Sequence, residues 1–436
     1  MDHNTVRRYR YDIYDCFLKA RDALFNTVDA LMTETQAQSF PELTQSLWFE
    51  RKWPSLYEAF EDGRIDAQYL REVFARYLPK LDTGKWQWVG IDASKIARPD
   101  AVTSADRTAQ YVHNLPECKK PITFGWNYST VVALPENPSS WTYQLDQERV
   151  TSETTAIEVA CAQIKRLIPH VPKKSIVVLD RGYDANWLWC QCSGLDIGVL
   201  CRLKSNRCLY RPAPPPTKKK GAPRKDGAKL QPKDSTTHGD PDGTWNGTDQ
   251  KERPVEITWW KHMHVKQARY LDMTIIRVVR PHATNKERDP RVSWFAWMGD
   301  EAVDIAQIGL GYARRFGQEH GYRFDKQELL WEQPRLRTPE QFERWTQIVA
   351  IVHNHLVLAR DLVEPELHPW ENKQRQPTPQ QVRRGMHKLL PRLGTPAKAP
   401  QPRGKSKGRS MGAKVKRAER FAVIRKKPKL PQLVPS

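Results

Sequence analysis

This 436-residue chain predicts a mixed α/β sheet, preceded by a helical segment, interrupted by a β-rich insertion and followed by a disordered basic tail. Three observations predict it. Two short apolar runs, KWQWVGID and SIVVLD, each end on an aspartate and stand among helical or strand patterns, as buried strands of an α/β sheet do. The pattern then collapses over residues 212–254, which hold eight prolines, before three more strand-like runs. The charge, finally, is uneven. Of a net +21, residues 369–436 carry +17 (19 Lys or Arg against Glu371 and Glu419), which leaves +4 for the rest.

Residues 1–80 read as a separate helical domain. In DIYDCFLKARDALFNTVDALM and PSLYEAFEDGRIDAQYLREVFARYL, apolar side chains recur every three or four residues. Residues 84–204 supply the first part of the sheet: a strand ending on Asp92, a second at ITFGWNYSTVVAL, a helix over about 152–168, the buried strand ending on Asp180, and IGVLCRLKSNRCLY. Residues 205–300 are the β-rich insertion, loop-rich at first and then carrying VEITWWKHMHV, YLDMTIIRVVR and VSWFAWMG. Residues 301–366 return to the core with one helix starting near Val303 and a long apolar one, FERWTQIVAIVHNHLVLARDLV. Residues 367–436 are rich in Pro, Gln, Gly, Ser and Lys and poor in large apolar side chains, a composition that predicts disorder and attraction to polyanions.

The longest apolar runs are far shorter than the ~18 residues a spanning helix needs, and MDHNTVRRYRYDIYD is too charged for a secretory signal, so no membrane association and a cytoplasmic location are expected. Seven cysteines suit reduced thiols better than a disulfide framework. The spacing of Cys190, Cys192, Cys201 and Cys208 matches no common zinc module.

The stretch GYARRFGQEHGYRFDKQ places Tyr312, Arg315, Glu319 and Lys326 at offsets of 0, 3, 7 and 14 residues. At about 100° per residue on an α-helix, all four fall within a stripe about 60° wide. Gly317 and Gly321 each weaken that helix by about 1 kcal/mol relative to alanine, so Lys326 is expected past a bend. The plain alternative is a surface ladder of ion pairs. Beside it, Asp92 and Asp180 end strands, and sites in α/β folds assemble at the carboxyl ends of strands. A packed helix can bring Glu319 to the same edge. Three clustered carboxylates repel one another unless cations sit between them, and hard divalent ions such as Mg²⁺ or Mn²⁺ resolve that conflict. Two such ions about 4 Å apart can activate an attacking water or hydroxyl and stabilise the leaving oxygen of a phosphodiester. Arg315 and Lys326 would then grip phosphates, with Tyr312 adding a hydroxyl donor. Asp184 competes with Asp180 as a ligand; Asp180 is favoured because it directly terminates the apolar run.

Tyr312-x2-Arg315-x3-Glu319-x6-Lys326 has the spacing of the Y-R-E-K signature of bacterial insertion-sequence transposases of the class numbered four. LDRGYD (residues 179–184) resembles that class's second-aspartate motif and GIDAS (residues 90–94) its first. The resemblance spans roughly residues 45–365. It implies an RNase H-like fold with a DDE site in which Asp92, Asp180 and Glu319 are the catalytic metal ligands, two Mg²⁺ or Mn²⁺ ions are bound, and Tyr312, Arg315 and Lys326 contact DNA. It implies further a homodimer that pairs two element ends in a synaptic complex, cleaves double-stranded DNA at terminal inverted repeats and joins it to target DNA, with nucleoid association when bound. Residues 1–80 would recognise the ends. Trp245, Trp259 and Trp260 are available to stack on a flipped base, and Lys218, Lys219 and Lys220 to track phosphates. Two other readings stand beside this one: an RNase H-like nuclease without strand transfer, and a domesticated relative that only binds DNA.

Overall fold

The computed structural model describes residues 1–436 except 83, 112–121, 138, 216–221, 284–290, 301, 402–407, 409, 415–416, 426–429 and 432–436. The chain begins with α1 (His3–Cys16), β1 (Phe17–Lys19), α2 (Arg21–Thr33), α3 (Phe40–Leu43), α4 (Trp53–Asp62), β2 (Arg64–Ile65) and α5 (Ala67–Arg76). Helix α1 buries Val6, Tyr9, Arg10, Ile13 and Cys16, one face at helical spacing. Asp66 starts α5 by accepting from the main-chain N–H groups of Gln68 and Tyr69.

The sheet follows: β3 (Gln87–Ala97), β4 (Thr108–Tyr111), β5 (Ile122–Ala133), β6 (Tyr143–Arg149), α6 (Ala156–Leu167), β7 (Ser175–Leu179), α7 (Asn186–Cys192) and β8 (Gly198–Arg202). Strand β3 pairs antiparallel with β5 and parallel with β7, and β7 pairs parallel with β8. Strands β4 and β6 both pair antiparallel with β5. Parallel β3, β7 and β8 beside antiparallel β4, β5 and β6 make this a mixed α/β sheet. Residues alternate between two cores. Val89, Ile91, Val177 and Leu179 face one that includes Ile164 of α6 and Leu188 of α7, whereas Trp88, Ile176, Val178 and Leu200 face the other.

The β-rich segment contributes β9 (Leu209–Tyr210), β10 (Lys229–Leu230), β11 (Gly243–Thr248), β12 (Pro254–Val265), β13 (Ala268–Val279) and β14 (Val292–Met298). It continues the central sheet rather than standing apart, because β14 pairs with β8 in the register Ala296↔Cys201. Twelve strands thus share one sheet among the described residues. The chain closes with α8 (Ile305–Gly311), a 3₁₀ turn over Tyr312–Arg315, α9 (Phe316–Gln327), α10 (Pro339–Ala359) and α11 (Pro379–Leu393). Helix α8 buries Ile305, Ala306 and Ile308 in the second core.

Two expectations need correction. The first 80 residues are helical but not a separate domain: their apolar side chains belong to the larger core, the Tyr9 hydroxyl donates to the Ile351 carbonyl (3.2 Å), and Phe40 packs edge-on against Trp345 of α10. The tail is not wholly disordered either. Thr378 and Gln381 form a capping box that starts α11 with Pro379 at its first position, and Val382, Met386, Leu389, Leu390 and Leu393 are buried at helical spacing. Farther on, Ile424 forms a parallel bridge with Thr108 of β4. Summed charge concealed a short amphipathic helix.

No helix among the described residues is long and apolar enough to cross a membrane.

Candidate active site

The β3–β7 register pairs Ile91 with Leu179, so Asp92 and Asp180 come next on two neighbouring parallel strands. Such strands lie about 4.8 Å apart. By the alternation of the strands both aspartates belong to the face of Trp88 and Val178, the one under α8. Asp180 also caps the short turn after β7, its Oδ1 accepting from the Gly182 N–H at 2.7 Å.

Helix α9 lies over the same face. Gly90 permits this: a Cβ there would stand 2.6 Å from the Gln318 side-chain oxygen. Gln318 Nε2 donates to both the carbonyl and the hydroxyl of Thr130, the residue opposite Asp92 in the β3–β5 pair. The Tyr322 hydroxyl donates to the Asp92 carbonyl (2.8 Å) and shares a 2.6 Å hydrogen bond with Thr130 Oγ1. These contacts fix the helix that carries Glu319.

Arg315 joins the carboxylates. Its Nη1 donates to Asp92 Oδ2 at 3.1 Å and its Nη2 to Glu319 Oε1 at 2.9 Å. Asp92 and Glu319 are therefore separated by the width of one guanidinium. Burial pushes the Asp92 carboxyl up to about 6, Arg315 opposes that rise, and Asp180 and Glu319 add to it. Burial works against the Arg315 charge, yet Tyr312, Asp92, Glu319 and Asp180 together raise its pKa. Tyr312 packs on Phe295 with ring centroids 4.5 Å apart, and burial pushes its phenol up to about 12. The Tyr312 hydroxyl has no hydrogen-bond partner among the described residues, nor has Arg315 Nε.

The stripe holds, with its irregularity at the other end. Helix α9 runs unbroken through Gly317 and Gly321, and the departure lies at Tyr312–Arg315, where residues three apart eclipse one another on the 3₁₀ turn. The Arg315 guanidinium accordingly sits 6.0 Å from the Tyr312 ring. Lys326 Nζ donates to the Lys95 carbonyl at 2.9 Å and pairs with Glu332, so it touches β3 three residues beyond Asp92.

Among the described residues no group of three or more His, Cys, Asp or Glu side chains stands close enough to hold a metal ion. Asp92 and Asp180 adjoin, while Glu319 meets Asp92 through Arg315. The donor set is nevertheless of the right kind: oxygen-only, as hard divalent cations take, with one carboxyl whose charge its surroundings disfavour. Asp184 is otherwise engaged. It is buried, pairs with Arg207 at 2.6 Å and accepts from the Lys204 N–H at 2.9 Å.

Sequence reasoning missed Gln318, Tyr322, Thr130 and Lys95. Gln318 and Tyr322 are spaced i, i+4 on either side of Glu319, a signal for a packing face that was legible. Thr130 needed the strand register. Of the proposed stacking residues, Trp260 is buried against Trp294, whereas Trp245 and Trp259 are partly buried against the second core. Lys218, Lys219 and Lys220 lie outside the described residues.

Asp92 lies within β3 rather than at its end, because β3 runs on beside β5 to Ala97, whereas Asp180 directly follows β7. The chain belongs to the DDE superfamily endonucleases, whose family profile matches residues 12–265. That match contains Asp92 and Asp180; Glu319 lies beyond it. Among solved structures the chain is similar to a piggyBac transposase in a synaptic complex with hairpin DNA, at 10% identity and a TM-score of 0.44, over 91% of this chain and 82% of that one. No curated protein matches the chain.

Proposed function

We propose that this endonuclease is an insertion-sequence transposase of the Y-R-E-K class, which cleaves DNA at the terminal inverted repeats of its element and joins the freed ends to target DNA. The observation that supports it best is the placement of Asp92 and Asp180 on one face, each following the last parallel pair of β3 and β7, with Glu319 held to Asp92 through Arg315. Asp92, Asp180 and Glu319 would hold Mg²⁺ or Mn²⁺, two ions in the full site. When bound, such ions activate the attacking oxygen and stabilise the leaving one.

The chain's own groups do the rest. Arg315 presents a planar fork suited to a phosphate. Tyr312 offers a buried hydroxyl with no partner among the described residues, which a phosphate oxygen would satisfy. Lys326, at the end of the stripe, supplies a point charge for the flanking backbone. Gln318 and Tyr322 keep Glu319 in place against β3. Two copies of the chain would pair two ends.

Purified protein with Mg²⁺ and a DNA fragment bearing the element's ends tests the reading. Joined products are expected. Nicks without joined products would assign the site to a nuclease instead.

A further inference from the structure

We propose that Arg315 is a latch: in the metal-free protein its guanidinium occupies the gap between Asp92 and Glu319, and a divalent ion enters the site only when Arg315 releases both carboxylates. The inference rests on the metal-site reading above and adds a role for this residue before DNA arrives.

The geometry is specific. Two terminal nitrogens of one guanidinium each serve a different carboxylate, at 3.1 and 2.9 Å, so a single cation is straddled by acids from β3 and α9. Asp92, Asp180 and Glu319 with Arg315 sum to a charge of −2 when all are ionised, which one divalent ion would balance. Arg315 is only 12% exposed, so its charge is poorly shared with water. Its Nε is buried without a partner among the described residues, as is the hydroxyl of Tyr312, whose ring centroid lies 6.0 Å from the guanidinium. Those two idle donors are what an arriving phosphate oxygen could use. Ion entry and DNA binding would thus favour each other, because the phosphate gives the guanidinium somewhere else to go.

An ordinary, permanent ion pair is the competing explanation, and the fork geometry separates the two. Lysine keeps the charge but cannot bridge two carboxylates through separate nitrogens of a planar group. Mn²⁺ binding to the full-length, DNA-free protein, read by electron paramagnetic resonance, is the measurement. The latch predicts that Arg315→Lys and Arg315→Met both bind Mn²⁺ about tenfold or more tightly than the wild type, the scale of one charge-assisted hydrogen bond. It also predicts that Asp180→Asn lowers Mn²⁺ affinity. Circular dichroism confirms that each variant is folded. If Arg315→Lys matches the wild type while Asp180→Asn loses Mn²⁺, charge alone explains the site and the latch falls by itself. If Asp180→Asn binds Mn²⁺ as the wild type does, or no protein binds it, the metal-site reading fails and takes the latch with it.

Discussion

Tyr322 ties the main chain of Asp92 to the helix of Glu319 through its hydroxyl, beside the links made by Arg315, Gln318 and Lys326. Removing that hydroxyl in Tyr322→Phe takes the side-chain donor from the Asp92 carbonyl and one of two partners from the Thr130 hydroxyl. A loss of about 1–3 kcal/mol is expected in urea unfolding, and an unchanged midpoint would show that water replaces the hydroxyl. Farther along that helix, Asp325 pairs with Nδ1 of His353 from α10 at 2.6 Å, and His353 Nε2 lies 2.8 Å from the Thr142 carbonyl. Burial opposes the imidazolium, but Asp325 and the Thr142 carbonyl outweigh it and the His353 pKa is raised. A raised pKa stabilises fully below the ordinary imidazole value, about 6.5, and that stabilisation is lost as pH rises through the folded-state value. The unfolding temperature of the wild type relative to His353→Gln should therefore fall as pH increases from about 6 to 9. A flat difference would show that His353 does not carry the charge.

At the scale of elements, the site depends on close approaches and on a helix from the supposed tail. Gly311 ends α8 against Trp88, and a Cβ there would lie 2.1 Å from the indole. Gly311→Ala must move the ring or the Tyr312 turn, at a cost of about 1–3 kcal/mol, visible as a lowered unfolding temperature. Arg383 of α11 is buried and donates to the carbonyls of Leu31 and Glu34 at the end of α2, and to that of Glu328 at the end of α9, all at 2.8–2.9 Å. A cation at two helix carboxyl ends also suits their dipoles. Stranding these carbonyls in Arg383→Met is expected to cost about 2–4 kcal/mol in chemical denaturation. Deleting the chain from residue 369 should accordingly disrupt folding, not only DNA affinity. A deletion mutant that melts like the full chain would contradict the packing of α11.

Across the whole molecule, charge and fold separate along the sequence. Residues 400–436 carry twelve Lys or Arg against one acid, beyond the end of α11. Removing them should weaken DNA binding and flatten its dependence on salt while leaving α11 in place, with a lower melting temperature from the lost backbone contacts of Phe421 and Ile424; an unchanged salt slope would make the segment a bystander. The strands that carry Asp92 and precede Asp180 were legible because an apolar run closed by an acid is a local pattern, although β3 continues past Asp92 to Ala97. The stripe of Tyr312, Arg315, Glu319 and Lys326 was legible as spacing. What spacing could not reveal is which groups an arginine chooses, since Asp92 is 223 residues from Arg315 and reaches it only through the fold. The union of the first helices with α10 was hidden for the same reason, because residues such as Phe40 and Trp345 meet only in three dimensions. Helix α11 has a clear apolar period, Val382, Met386, Leu389, Leu390 and Leu393, which the composition of a long basic segment averages away.

The proposed site requires Asp92, Asp180 and Glu319 to act together on DNA. Cleavage of a fragment carrying the element's ends, measured with Mg²⁺ for Asp92→Asn, Asp180→Asn and Glu319→Gln beside the wild type, tests it most directly. Each substitution should abolish cleavage while leaving DNA binding nearly intact; cleavage at the wild-type rate in any one of them would contradict the claim.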